Sequence, residues 1–151
     1  MKRFHLVVAA LFLAVPAFAA NIVPSPPQLA ASAYLLMDAN SGEVLVEENA
    51  DMPLPPASLT KMMTAYVLAA EMEAGRIAPD DMVSISRNAW SQNPIFNGSS
   101  LMWIEPGKDV SITDLERGIV ISSGNDATVA VAEHIAGTEA AFADMMNSYA
   151  E

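Results

Sequence analysis

The sequence predicts an α+β fold. Three observations carry that prediction. A strand–turn–strand pattern spans 31–48, an unbroken helix-forming run follows a proline cluster from about Ser58 to Ala74, and three more helical stretches crowd between 113 and 149.

Residues 1–19 read as a secretory signal peptide. Lys2 and Arg3 supply the positive start, and Leu6 to Val15 is an apolar run too short to span a bilayer. Pro16 breaks that run, and Ala17-Phe18-Ala19 matches the small-x-small pattern before a cleavage site. The mature chain is therefore expected to be exported, in the periplasm or on the outer face of the cytoplasmic membrane.

Asn21 to Leu29 is Pro-rich and extended. Tyr34, Leu35, Leu36 and Met37 form a first strand, Asn40-Ser41-Gly42 a turn, and Glu43 to Glu48 a second strand with Val44 and Val46 on one face. The first strand is apolar on both faces, so it is expected inside a sheet. Pro53, Pro55 and Pro56 end the extended region and lead into the Ser58 helix, which Gly75 is placed to close.

Short strands are expected at Asp81–Ser86 and Leu101–Ile104, separated by a loop from Asn88 to Ser100 and followed by a turn at Glu105-Pro106-Gly107-Lys108. Thr113 with Glu116 three residues on forms a capping box for the next helix, which turns Leu115 and Ile119 to one side. That helix breaks at Ser122-Ser123-Gly124-Asn125. Another runs from about Asp126 to Ala136 and closes at Gly137. Thr138 caps the last, on which Phe142, Met145, Met146 and Tyr149 recur at helical spacing.

The 151 residues suit one domain, and at 52% hydrophobic they can build a core. The net charge is -11 without a basic patch, which argues against nucleic acid and against electrostatic docking to anionic lipid. With no Cys, disulfides and thiolate chemistry are excluded. The two histidines, His5 and His134, are far apart and suggest no metal cluster. No metal or organic cofactor is expected.

The chemistry concentrates in two places. Ser58 and Lys61 are three apart, so at a helix start they share a face. A serine hydroxyl attacks well only when a base takes its proton, and Lys61 is such a base when neutral. Burial favours the neutral form, as does the positive end of a helix dipole. Leu59, Met62, Met63 and Tyr66 are expected to supply the apolar surroundings. The second place is Ser123-Gly124-Asn125, between two apolar helices. On spacing alone, a bland reading stays open: Ser58 as a helix cap, Lys61 solvated, and the tripeptide an ordinary turn.

Order and context add to the spacing. Ser-x-x-Lys followed by Ser-x-Asn is the motif set of penicillin-binding proteins and class A β-lactamases. Pro56-Ala57-Ser58-Leu59-Thr60-Lys61-Met62-Met63-Thr64-Ala65-Tyr66 resembles the active-site helix of the low-molecular-mass penicillin-binding proteins, the serine-type D-alanyl-D-alanine carboxypeptidases. Ser122-Ser123-Gly124-Asn125-Asp126-Ala127 is similar to their second motif, and Asn97-Gly98-Ser99-Ser100 and Glu105-Pro106-Gly107 fit the stretch between.

The resemblance runs from about Ala31 to Glu151. It implies the N-terminal part of a β-lactamase/transpeptidase-like fold, a helical subdomain with part of an antiparallel sheet. It implies Ser58 as the acyl-ester nucleophile, Lys61 as its general base, Ser123 as a proton relay and Asn125 as a substrate-binding residue. The implied partners are peptidoglycan stem peptides ending in D-Ala-D-Ala, with β-lactams as covalent inhibitors. Any membrane anchoring would come only through a further C-terminal part.

The family's third motif, Lys-Thr-Gly or Lys-Ser-Gly, has no counterpart, since the lysines are Lys2, Lys61 and Lys108. The expectation is that residues 20–151 are the N-terminal part of a longer catalytic domain and are inactive alone. The alternatives are a class A-like β-lactamase and a non-catalytic penicillin-binding sensor. β-Lactamases usually carry Asp where Gly124 stands, which favours the carboxypeptidase.

Overall fold

An aspartate holds the first reversal of the chain. In the computed structural model, which describes residues 24–151, β1 (Tyr34–Met37) pairs antiparallel with β2 (Val44–Glu48), with Tyr34 opposite Glu48 and Met37 opposite Val44. Between them Asp38 Oδ1 accepts the N–H groups of Asn40 at 3.0 Å and Ser41 at 2.7 Å. These bonds hold its carboxyl below the usual aspartate range. The signal peptide read from residues 1–19 lies outside the described residues.

The hairpin belongs to a unit ending at Pro53; a second unit runs Leu54–Glu151. Within the first, β1 pairs with β2 alone among the described residues, so it is an edge and not the interior strand expected. Leu35, Leu36 and Met37 stay about half exposed. A two-stranded hairpin cannot by itself cover both of its faces.

The second unit is mostly helical. A 3-10 turn over Ala57–Leu59 leads into α1 (Thr60–Glu73). Gly75, at φ 72°, ends that helix, and the Arg76 N–H returns to the Glu71 carbonyl at 3.0 Å. β3 (Met82–Ser84) pairs antiparallel with β4 (Asp109–Ser111). Then α2 (Ile112–Ser122), α3 (Asn125–Ala136) and α4 (Glu139–Ala150) follow with short breaks.

Two expectations change here. The strand expected at Leu101–Ile104 does not form; the N–H groups of Met102, Trp103 and Ile104 all turn to one carboxylate, that of Asp126. A strand points successive N–H groups to opposite sides, so the two arrangements exclude each other. The cap of α2 is Ser111 and not Thr113. Ser111 Oγ accepts the Asp114 N–H at 3.2 Å and donates to Asp114 Oδ2 at 2.9 Å, while Thr113 Oγ1 donates to the Pro79 carbonyl.

The core of this unit gathers Leu68 of α1, Ile112, Leu115 and Ile119 of α2, and Ala127, Ala130 and Val131 of α3. Val83 and Phe96 close it from the intervening segments. Burying each of the Val, Leu, Ile and Phe side chains contributes about 1.5–3 kcal/mol. A smaller cluster joins Val67, Ala132 and Phe142, with Met63, Met145, Met146 and Tyr149 packed against it, so the methionines fill core as their spacing predicts. Glu71, 3% exposed, is paired with Arg76 at 2.5 and 2.7 Å and accepts the Tyr149 hydroxyl at 2.6 Å. That trio ties the end of α1 to the end of α4.

Candidate active site

Ser58 is delivered by an unusual backbone. Pro56 sits at φ -73°, and Ala57 then takes φ 48°, the left-handed region an alanine seldom enters. The 3-10 turn places Ser58 just before α1 and Lys61 on its first turn. Lys61 Nζ donates to Ser58 Oγ at 3.3 Å. Spacing on one helix end suffices for this contact.

The other two residues come from the break between α2 and α3. Ser123 ends α2 at φ 51° and ψ 37°, with its N–H on the Gly118 carbonyl. Gly124 also donates to Gly118 O, at 3.0 Å, and the Asn125 N–H bonds the Ser100 carbonyl at 2.9 Å. The break is thereby pinned on both sides. From it Ser123 Oγ donates to Ser58 Oγ at 3.0 Å. Asn125 Oδ1 accepts a short hydrogen bond from Lys61 Nζ. All four residues singled out from the sequence, Ser58, Lys61, Ser123 and Asn125, form one connected network.

The network opens on a cleft of about 460 Å³ lined by Ser58, Lys61, Ile95, Phe96, Asn125 and Val129. Burial lowers the Lys61 pKa from the usual lysine value. The apolar surroundings differ from those expected. Leu59, Met62 and Tyr66 face outward at 68, 72 and 57% exposed, and only Met63 turns inward. Helical geometry explains this, because Met62 and Tyr66 sit on the face of α1 opposite Thr64, Val67 and Leu68, and Leu59 lies in the 3-10 turn before it. Lys61 lines instead a cleft to which the long loop before β4 brings Ile95 and Phe96.

Chemically, a serine hydroxyl within reach of an amine of lowered pKa and of a second hydroxyl can be activated for attack on a carbonyl. Among the described residues no group of three or more metal-binding side chains is placed to hold an ion.

Sequence reasoning missed Asp126. It is fully buried, and its two oxygens accept the N–H groups of Met102, Trp103 and Ile104 at 2.9, 2.8 and 3.2 Å. In sequence it looks like any acidic residue of a first helical turn, favourable to the dipole. Nothing local distinguishes it.

A family model described as D-alanyl-D-alanine carboxypeptidase matches residues 20–151. The chain belongs to the D-alanyl-D-alanine carboxypeptidase family. It is 51% identical over 130 residues to D-alanyl-D-alanine carboxypeptidase DacA of Escherichia coli (strain K12), covering 85% of this chain and 32% of DacA. With DacD of the same strain it shares 45% over 157 residues, which is 100% of this chain and 40% of DacD. Penicillin binding protein 5 from Haemophilus influenzae, a crystal structure, superposes with a TM-score of 0.69 at 47% identity, over 84% of this chain and 36% of that one. The α+β architecture is thus that of the penicillin-binding carboxypeptidase family. The chain spans about a third of the length of the curated relatives it matches.

Proposed function

We propose that the protein carrying this chain is a serine-type D-Ala-D-Ala carboxypeptidase that trims the terminal D-alanine from peptidoglycan stem peptides. One observation carries the reading: Ser58 Oγ stands within hydrogen-bond reach of both Lys61 Nζ and Ser123 Oγ at the edge of one cleft. Family membership supports the substrate class.

Neutral Lys61 takes the Ser58 proton as Oγ bonds to the carbonyl carbon between the two D-alanines. The C–N bond breaks, and a proton passed through Ser123 leaves with the D-alanine amine. Water then cleaves the ester and restores Ser58. Asn125 holds Lys61 through its Oδ1 and offers its N–H₂ to the substrate amide. A β-lactam, an amide in a strained ring, enters by the same attack and leaves an acyl group on Ser58. The leader read at residues 1–19 places the work outside the cytoplasmic membrane. No described helix is long and apolar enough to cross a membrane.

The test uses the full-length protein beside Ser58→Ala. Each is incubated with penicillin and followed by intact mass, and D-alanine release from a D-Ala-D-Ala peptide is assayed in parallel. A long-lived adduct and D-alanine release, both absent from the variant, are expected. A rapidly lost adduct with drug hydrolysis points to a β-lactamase, an adduct without peptide turnover to a sensor, and no adduct on folded protein refutes the reading.

A further inference from the structure

The loop over 100–104 and the first turn of α3 meet at a single buried carboxylate. Asp126 Oδ1 accepts from Met102 N–H and, at 2.9 Å, from the N–H of Ala127; Oδ2 accepts from Trp103 and Ile104. Trp103 is held at φ 68°, a left-handed conformation a tryptophan seldom enters, and the residue is 73% exposed. Its side chain therefore has little packing with which to hold the loop. Ile104 is buried in the core and the Ser100 and Ile104 carbonyls accept from Asn125 and Ser91, but the amides of 102–104 converge on the Asp126 carboxylate alone.

The seat is tight as well as polar. A Cβ on Gly124 would lie 3.0 Å from Asp126 Oδ1, 3.1 Å from Met102 N and 3.2 Å from Met102 Cβ. Gly124 itself sits at φ -63°, open to any residue, so it is close approach and not backbone freedom that favours glycine here. One residue to either side stand Ser123 and Asn125, the two residues that reach Ser58 and Lys61.

We infer that Asp126 is a positioning residue for the reaction: by binding the 102–104 amides it seats the Ser123–Asn125 break, so that Asn125 Oδ1 meets Lys61 and Ser123 Oγ meets Ser58. The inference rests on the reading of Ser58 as nucleophile. The carboxylate charge matters because each oxygen serves two N–H groups. In Asp126→Asn, whichever way the amide turns, an N–H₂ faces two donors and neither is satisfied.

The experiment measures penicillin acylation of the full-length protein, separating the acylation rate constant from the dissociation constant of the initial complex, with adduct stoichiometry by intact mass. Asp126→Asn is expected to lose about tenfold or more in the rate constant, with near-wild-type dissociation constant and one adduct per folded chain. The loss should overlap that of Asn125→Ala, so the double variant is little slower than Asn125→Ala alone. Gly124→Ala, which crowds the same seat from the other side, should show a smaller fall of the same kind and decides the matter if Asp126→Asn does not fold.

A wild-type rate constant in the folded variant overturns the inference. So does a fall confined to the labelled fraction, or one that multiplies in full with Asn125→Ala. Ser58→Ala anchors the assay: it should take up no penicillin, and an adduct on it would overturn the nucleophile assignment together with this inference. An unchanged Asp126→Asn beside a silent Ser58→Ala overturns the positioning role alone.

Discussion

The hydroxyl of Ser123 lies 3.0 Å from that of Ser58, across 65 residues of chain. It gets there because the backbone turns left-handed at Ser123, ending α2 in a single residue. Replacing Ser123 by glycine should therefore divide stability from activity. Glycine removes the left-handed strain, for an expected gain of about 0.5–1 kcal/mol in a thermal or urea melt. If Ser123 relays the proton as proposed, acylation by penicillin should slow about a hundredfold. A variant as fast as the parent would remove Ser123 from the reaction.

The lowered pKa of Lys61 sets a pH dependence. Only the neutral amine is a base, so acylation should rise with pH through the lowered value and level off below the usual lysine value of 10.5. The same shift makes stability rise with pH between the folded value and 10.5, since the folded chain binds the proton more weakly. Lys61→Arg keeps the charge, cannot act as a base, and should abolish the rising limb. A rising limb that persists in Lys61→Arg would assign it to another group.

Glu71 makes the fold sensitive to acid. Arg76 beside it, aided by the Tyr149 hydroxyl, pulls its carboxyl from 4.5 to about 2 against the cost of burial. Its stabilisation is full above 4.5 and is lost as pH falls toward about 2. Arg76 is 56% exposed, so solvent screens part of the pairing, and Arg76→Ala should lower the urea midpoint at neutral pH and leave it little changed near pH 2. Tyr149→Phe should lower the midpoint by less, because it loses the hydroxyl bond to Glu71 and keeps the edge-on contact with Tyr66, whose ring lies 5.9 Å away. Urea melts of Glu71→Gln and the parent should converge at acid pH; parallel curves would show that the pair carries no linked proton.

The cap of α2 can be checked by comparing two alanines. Ser111→Ala removes both bonds to Asp114 and should cost about 1 kcal/mol of stability by urea melt. Thr113→Ala loses only its bond to the Pro79 carbonyl and should cost less. The reverse order would reinstate Thr113 as the cap.

What the sequence by itself determined is what short-range rules govern. The Ser58–Lys61 pair follows from a spacing of three at a helix start; the hairpin from alternation around Asn40-Ser41-Gly42; the α3 and α4 boundaries from Gly137 and Thr138. Ser123 and Asn125 were legible as a motif, and so by order and resemblance, but their distance from Ser58 was not. Tertiary structure alone decided what depends on partners distant in the chain. Leu101–Ile104 has the composition of a strand, yet Asp126, more than twenty residues on, takes its amides. Ser111 wins the cap over Thr113 because Pro79 engages the threonine. Leu59, Met62 and Tyr66 face outward because the opposite side of α1 meets the core, and Lys61 is left in a cleft with Ile95 and Phe96. A carboxylate or a lysine has no fixed role in sequence; burial and converging partners give it one.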